Sequence, residues 1–584
     1  MGSTNNILAH KNNYLFVQTS FSYYYPNINI LPIVRCTIST STISKSMSSS
    51  STTDRRSAGY KPSIWNLEFL ESLKRDCHFN IEDEYANILE RLKCEVKNMM
   101  ADEELKPKTV FKTIDEIQRL GIGNHFGEDI ERALRRLACN FGDFNLDLHT
   151  TALGFRLLRQ NGIFMSQEIF KKFMDENENF KPSCNDKEGM ISLYEASYLG
   201  FEGEHLLDEA KTFTTNHLTN HYKNNEDENY TLGLPLQYRM PRLEARHYIE
   251  NHPYKNKDMA LLKLSMLDFN RTQMMHQHDL HEMAWWWKDL GLSDKLSFAR
   301  DRLMECFVWS VGTTSKLELS SCREVLTKVF NFITIIDDIY DVYGTIDELE
   351  LFTNAIERWD INAIDELPAY MKLTFLALYN TINEIGHQIL KQKGVNCIPY
   401  LKKTWEDLCK AFLVEAKWLY NSQTPTFEEY INNGWVSVSG VVALTHAFFF
   451  VTPEITLEAL HCLQNNHDIL RLPSMVFRLF NDLATFEAEI ERGETANAIS
   501  CYAKQEGGSL KDARKHVKKL IDESWKGLNK IQVVNNTPFS KEFIETAMNL
   551  ARTAQCFYQH GDGHGSPELI KKKISSIIVD PLQL

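Results

Sequence analysis

The stretch Asn331–Thr345, NFITIIDDIYDVYGT, sets three aspartates into one of the most apolar helical segments of the chain. Asp337 and Asp338 follow Ile335 and Ile336, and Asp341 follows Ile339 and Tyr340. In an α-helix positions i and i+4 share a face, so Asp337 and Asp341 stack with Asp338 beside them. Two unit charges about 4 Å apart repel by roughly 4 kcal/mol at an effective dielectric near 20. A partly buried face tolerates several such repulsions only with a cation among them. Carboxylate oxygens are hard ligands, suited to Mg²⁺ or Mn²⁺ rather than zinc. Taken alone, D-D-x-x-D would read equally well as a solvated charge cluster.

A second oxygen-bearing stripe lies downstream, in FRLFNDLATFEAEIERGE from Phe477 to Glu494. Asn481, Thr485 and Glu489 recur every four residues, so three oxygen donors line one helical face, and Arg478 stands about one turn before them. An ordinary amphipathic helix with a polar stripe would look the same, but two such stripes in one half of the chain point to a shared cluster of divalent cations. Mg²⁺ is usually held by a few carboxylates together with substrate phosphates. The chain carries no G-x-x-x-x-G-K-[ST] loop and no strand–Gly-loop–helix setting for a dinucleotide. SFARDRLMEC instead offers Arg300 and Arg302, whose planar forks make charge-assisted pairs with diphosphate oxygens.

The remaining chain is helical in pattern. EFLESLKRDC, DEYANILERLKCEVKNMM, KTVFKTIDEIQRLGI and GEDIERALRRLACNF place apolar residues at three- and four-residue spacing, which predicts an all-α fold. Gly-, Asn- and Pro-containing segments interrupt it, and the break at ENHPYKNKD predicts a domain boundary between Glu250 and Asp258, giving an N-terminal helical domain over 55–255 and a catalytic domain over 256–584. The 584 residues suffice for two or three cored domains, and the net charge of −14 argues against a nucleic-acid partner. The 12 cysteines contain no Cys-x-x-Cys pair and read as buried free thiols. GVVALTHAFFFV, from Gly440, is too short for a membrane span and reads as a buried helix. His276, His278 and His281 do not share a helical face, so no zinc site is expected there, and Trp285, Trp286 and Trp287 cannot all face one pocket.

Residues 1–54 differ in composition from the rest of the chain. No acidic residue precedes Asp54, Ser and Thr crowd Thr37–Thr53, and Lys11, Arg35 and Lys45 supply positive charge. That composition is expected of an organelle transit peptide.

Together these motifs, in this order, resemble the plant class I terpene synthases, within the clade rich in angiosperm monoterpene synthases. RRSAGYKPSIW matches the tandem-arginine motif through Arg55, Arg56 and Trp65, DDIYD the aspartate-rich metal motif, NDLATFEAE the second metal motif and RDR the diphosphate-binding motif. The resemblance implies an N-terminal helical barrel without its own active site and a C-terminal catalytic bundle, in a monomer or weak homodimer of the chloroplast stroma. It implies three Mg²⁺ ions, with Mn²⁺ as a substitute, bridging the diphosphate of a small prenyl substrate between Asp337, Asp338 and Asp341 on one side and Asn481, Thr485 and Glu489 on the other. Arg300, Arg302 and Arg478 would hold the departing anion. Trp309, Phe330 and Phe477 would line the pocket for the allylic cation, Tyr558 and Asp562 belong to a segment that closes over the site, and the Arg55–Arg56 segment would fold over its mouth.

Asn497, eight residues beyond Glu489, stands where many cyclising relatives have lysine; in this respect the chain looks more like isoprene and ocimene synthases. Phe330, Phe477 and Asn497 match three of four positions associated with isoprene synthases, while Val438 stands where that pattern has serine. The expectation is a compact pocket that converts geranyl diphosphate to an acyclic product such as ocimene, myrcene or linalool. Isoprene formation from dimethylallyl diphosphate is the alternative, with a cyclic monoterpene as a further one. A chain-elongating prenyltransferase would usually carry two D-D-x-x-D motifs, and a helical scaffold would have no use for both metal stripes. A reporter fused behind residues 1–54 is expected to enter plastids; one that remains cytosolic contradicts the targeting reading.

Overall fold

Several helix starts in this chain coincide with side chains that satisfy the first free backbone N–H groups. Thr345 and Thr426 each form a reciprocal capping box, with Glu348 and Glu429. Asn497 caps Ala498–Glu506 by accepting from the Ile499 amide, and Ser540 caps Lys541–Tyr558 by accepting from Phe543. The computed structural model describes residues 59–583 apart from 74–78, 102–105, 178, 182–185, 222–231, 252–258 and 535–536. The 1–54 segment, Arg55, Arg56 and the 255/256 boundary therefore lie outside the described residues. Among the described residues the fold is all-α, with isolated bridges at Met174–Phe180 and Gln559–Gly561.

One hydrophobic core extends from Trp65 to Leu582, and a smaller cluster gathers Phe155, Phe170 and Tyr194. In the N-terminal half, Leu148–Gln160 packs on Lys187–Ser197, which packs on His205–His221. This layer docks on the helix Leu510–Val533: Gln237 Nε2 donates to Asn529 Oδ1 at 2.9 Å, Asp208 pairs with Lys526 at 2.6 Å, and the Tyr238 ring stacks on Trp525 at 4.4 Å.

The helices that carry the two oxygen stripes are Ser320–Asp338 and Asp468–Glu491. The first buries Val325, Leu326, Val329, Phe332, Ile335 and Ile336, which holds its end in register against the bundle. It runs into a π-helical turn, Ile339–Tyr343, closed by a 2.8 Å bond from the Gly344 amide to the Ile339 carbonyl. Glycine suits residue 344, since a Cβ there would meet the Ile339 backbone carbonyl oxygen at 2.9 Å. Tyr343 stacks on Phe298 at 3.9 Å, which ties the turn to the segment leading into Arg300.

The segment Phe427–Val451 is long and apolar enough to cross a membrane by composition, but it is two helices broken at Ser439, where φ is 71°, and its apolar window is 83% buried in the bundle. The three histidines near 278 diverge: His276 is buried with Nε2 3.1 Å from the Ser315 carbonyl, His278 is exposed, and His281 accepts from the Trp285 indole. Trp285 is exposed and Trp287 buried.

Glu305 is fully buried, with both carboxylate oxygens lacking a hydrogen-bond partner, and burial pushes its carboxyl up to about 7. From its ordinary value of 4.5 up to about 7, the unfolded chain has released a proton that the folded carboxyl keeps. Stability therefore falls as pH rises through that window and levels off above it. Glu305→Gln removes the loss, so thermal denaturation should show the variant more stable than the parent at pH 8, by up to about 3 kcal/mol, with the difference vanishing near pH 4.5.

Candidate active site

The ends of both striped helices open onto one cavity of about 530 Å³. Asp337 and Asp341 line one wall, and Asn481, Thr485 and Glu489 line the other. Glu415, from the helix Ile398–Tyr420, faces the space between them. The floor is aromatic: Trp309 stacks on Phe477 at 4.7 Å and on Phe557 at 4.6 Å, and lies 5.7 Å from Phe330. Gly59, Tyr60 and Lys61, and Asp562 and His564, also line the cavity. Among the described residues none between 62 and 299 reaches the cavity, so the N-terminal layer supports the bundle without lining the site.

The two walls repeat one arrangement. Behind Asp337 and Asp341, Asp338 is fully buried and engaged by Arg300, which donates to it from its backbone N at 2.6 Å and from Nε at 2.9 Å, and reaches Asp337 with Nη2. Behind Asn481 and Thr485, Asp482 is fully buried, accepting from Tyr430 Oη at 2.8 Å and from the Ala498 amide at 3.1 Å, with Arg478 Nε 3.1 Å away. Arg478 also contacts Glu415 at 3.4 Å. Each wall thus has a neutralised aspartate–arginine pair underneath and oxygens facing inward. A buried arginine–aspartate pair fixes geometry at little net gain in stability.

The inward oxygens are electrostatically stressed. Burial pushes the Asp337 carboxyl up to about 6 despite the guanidinium of Arg300 beside it. Asp341 is raised well above the ordinary carboxylate range by crowding of protein around it and by Asp337, Glu415 and Glu494, although the residue is exposed to solvent. Burial and Asp482 push Glu489 up to about 7. Carboxylates that resist ionisation in this way are stabilised by a divalent cation. The donor set is entirely hard oxygen, which fits Mg²⁺. No three Asp, Glu, His or Cys side chains among the described residues form a preassembled metal cage. An ion held here would need further ligands from water or phosphate, which is how Mg²⁺ is commonly bound.

Several expected residues sit elsewhere. Asp338 does not line the cavity, because adjacent helical positions are about 100° apart and its oxygens are taken by Arg300. Asn497 is buried behind the wall, donating to Glu489 Oε2 at 2.7 Å and to the Asp482 carbonyl at 3.2 Å, so it orients a cavity residue and does not contact the cavity itself. Arg302 does not line the cavity; it is buried and bonded to the backbone carbonyls of His564 and Lys61, two residues that do line it. Trp65 is packed into the core instead of lying over the mouth. The remaining expected residues, Arg300, Trp309, Phe330, Phe477, Arg478, Tyr558 and Asp562, do line the cavity. Sequence spacing does not single out Glu415, Asp482, Tyr60 or His564. Asp482 carries a signal, as an acid inside an apolar turn next to Asn481; Glu415, in FLVEAKW, has no partner at helical spacing that would mark it.

Residues 288–527 match the model of the terpene synthase family metal binding domain, and residues 64–236 that of the terpene synthase N-terminal domain. Isoprene synthase, chloroplastic, of Populus alba is 48% identical over 562 residues, covering 94% of this chain and 93% of that one. Myrcene synthase, chloroplastic, of Quercus ilex is 46% identical over 546 residues, covering 91% and 90%. The crystal structure of isoprene synthase from grey poplar (Populus x canescens), in complex with three Mg²⁺ ions and dimethylallyl-S-thiolodiphosphate, superposes with a TM-score of 0.82 at 48% identity, covering 89% of this chain and 99% of that one.

The geometry separates the two neighbouring aspartates by their cost to stability. Asp338→Asn leaves the Arg300 guanidinium under-compensated in a buried setting and should lower the unfolding free energy by about 3 kcal/mol. Asp337→Asn, at the cavity surface, should change it by less than about 1 kcal/mol. Urea unfolding of both variants at pH 7 measures the difference.

Proposed function

This chain belongs to the terpene synthase family, and from that premise we propose that it ionises geranyl diphosphate, releases diphosphate and yields an acyclic monoterpene. Membership makes it a lyase acting on prenyl diphosphates, of the group that holds monoterpene and isoprene synthases. The single observation that carries the proposal is the meeting of two oxygen-lined walls above an aromatic floor in one cavity. One end of that cavity suits a metal-bound polyanion, and the other an apolar chain that becomes a cation.

Asp337 and Asp341 on one wall, and Asn481, Thr485 and Glu489 on the other, would hold Mg²⁺, three ions being expected by likeness to the poplar complex. Mg²⁺, when bound, neutralises charge that builds on the diphosphate as the C–O bond breaks. Asn497 keeps Glu489 aimed inward, and Glu415 adds a carboxylate between the walls. Arg300 and Arg478 stand where they can close on oxygens of the leaving group. The faces of Trp309, Phe330 and Phe477 present negative quadrupole density to the allylic cation without adding a nucleophile.

Loss of a proton from the cation needs an acceptor. Thr334 Oγ1 donates to the Phe330 carbonyl, so the 3.1 Å contact between Thr334 and His564 is made by His564 Nε2–H. That tautomer leaves the lone pair of Nδ1 free, and Nδ1 has no partner. Burial and the Arg300 and Arg302 guanidiniums hold the imidazole well below its ordinary value, hence neutral. Nδ1 is itself buried in this structure, so His564, which lines the cavity, would serve as the acceptor only after its ring turns toward that space.

Isoprene formation from dimethylallyl diphosphate is the second reading, favoured by the packed Trp309–Phe330–Phe477 floor and by the 48% identity to poplar isoprene synthase. Val438 at the cavity wall speaks for the longer substrate. The acid-free 1–54 segment, with the word chloroplastic in the relatives' names, supports a plastid location.

The deciding measurement is the ratio of kcat/KM for the two diphosphates. It should favour geranyl diphosphate, and Phe330→Ala or Phe477→Ala should shift products toward cyclic species. One methylene in an apolar pocket is worth only about 1–3 kcal/mol, whereas an isoprene unit that does not fit is excluded far more strongly. A large wild-type preference for dimethylallyl diphosphate would overturn the C10 assignment.

A further inference from the structure

Arg300 and Arg302 are separated by one residue, just before the helix Leu303–Thr313, and their side chains part company. Arg300 lines the cavity, with its guanidinium 4.7 Å from the centre of the Tyr60 ring. Arg302 is absent from the cavity and 1% exposed. Its Nη1 donates to the Asp301 carbonyl at 2.8 Å and its Nε to the His564 carbonyl at 3.0 Å. Its Nη2 donates to the Lys61 carbonyl at 2.9 Å and to the Gly565 carbonyl at 3.2 Å. Every acceptor is a backbone oxygen, and three of the four belong to segments distant in sequence.

Those segments both line the cavity. Gly59, Tyr60 and Lys61 border it from the N-terminal side, and Asp562, His564, Gly565 and Ser566 from the C-terminal side. The C-terminal side is a built turn: Asp562 Oδ1 accepts from the His564 amide at 3.1 Å and from the Gly565 amide at 2.8 Å. A Cβ at residue 565 would meet Asp562 Oδ2 at 2.2 Å, so the turn requires glycine. With these amides committed to Asp562, the carbonyls of 564 and 565 are left to Arg302. Tyr60 rests on Arg300, and Lys61 is held through its carbonyl by Arg302.

We propose that Arg302 is a positioning residue that clasps the N-terminal strap at 59–61 to the 562–566 turn, so that the cavity mouth stays closed to water, and that it does not bind the diphosphate. The proposal rests on the assignment of the cavity as a prenyl diphosphate site. A planar guanidinium has five N–H donors in a fixed fork, and four contacts are already made here. Turning it toward the cavity would strand four carbonyls and move a charge out of a satisfied setting. Keeping water out matters for this chemistry because an allylic cation is captured by any water within reach. Arg302 thus acts on product outcome through the two segments it joins.

The test uses the full chain with Arg302→Lys, which keeps the charge but loses the fork, and Arg302→Met. Three readouts are taken. Amide hydrogen exchange in peptides covering 59–73 and 559–570 should quicken by about tenfold or more, the consequence of losing at least one charge-assisted hydrogen bond. Affinity for inorganic diphosphate with excess Mg²⁺, by titration calorimetry, should stay within about threefold of the parent. Turnover in ¹⁸O-water should place more labelled oxygen in the product, a change that loss of stability alone would not produce. Unchanged exchange in both peptides, or a fall of tenfold or more in diphosphate affinity, overturns the proposal. Should Arg302→Met fail to fold, Arg302→Lys decides. A parent that turns over neither C5 nor C10 diphosphate would defeat the functional reading alone, since the exchange and diphosphate arms still decide the clasp.

Discussion

Carboxylates gathered around one cavity repel one another and cannot all remain ionised at low cost without positive charge among them, and the rest of this structure depends on how that constraint is met. Arg300 and Arg478 neutralise the two fully buried aspartates, Asp338 and Asp482. They leave Asp337, Asp341 and Glu489 facing the cavity, each held above the ordinary carboxylate range. The bundle is therefore built with a charge deficit. It holds hard oxygens ready for divalent cations without enclosing them, which suits ions that arrive with a diphosphate and share its oxygens.

The apolar half of the cavity answers a different demand. Trp309, Phe330 and Phe477 give it polarizable walls with no nucleophile, and Tyr558 and the neutral His564 also line it. Products of one cation differ by pocket shape at a few kcal/mol or less, about the scale on which a single ring changes a cavity. Family membership therefore fixes the reaction class, while the identity of the product depends on details such as Val438 against serine.

Helical spacing made much of the site legible. The four-residue recurrence of Asp337 and Asp341, and of Asn481, Thr485 and Glu489, placed these residues on inward faces, and all five line the cavity. The same spacing could not tell which of two adjacent residues points inward at the edge of a face. Asp338 and Asp482 therefore proved to be supports under the walls. Arg302 and Asn497 lie outside regular helix, where periodicity says nothing about direction; Arg302 is recruited by carbonyls more than 200 residues away and Asn497 by Glu489, eight residues before it. Glu415 was illegible for another reason: a lone acid in an apolar helix acquires meaning only once Arg478 and Ser437 are seen beside it. The all-α class was legible throughout. The docking of the N-terminal layer on Leu510–Val533 was not, since contacts such as Gln237–Asn529 leave no local trace in sequence.

The central claim is that the two walls form one metal–diphosphate site. Mn²⁺ binding measured by electron paramagnetic resonance, with and without inorganic diphosphate, tests it most directly. The account predicts weak Mn²⁺ uptake by the protein alone, and tight, cooperative uptake approaching three ions per chain when diphosphate is added, as in the Mg²⁺-bound poplar relative. The cooperative uptake should be lost in both Asp341→Ala and Glu489→Ala. Mn²⁺ binding that ignores diphosphate, or that survives removal of either wall's carboxylate, would contradict it.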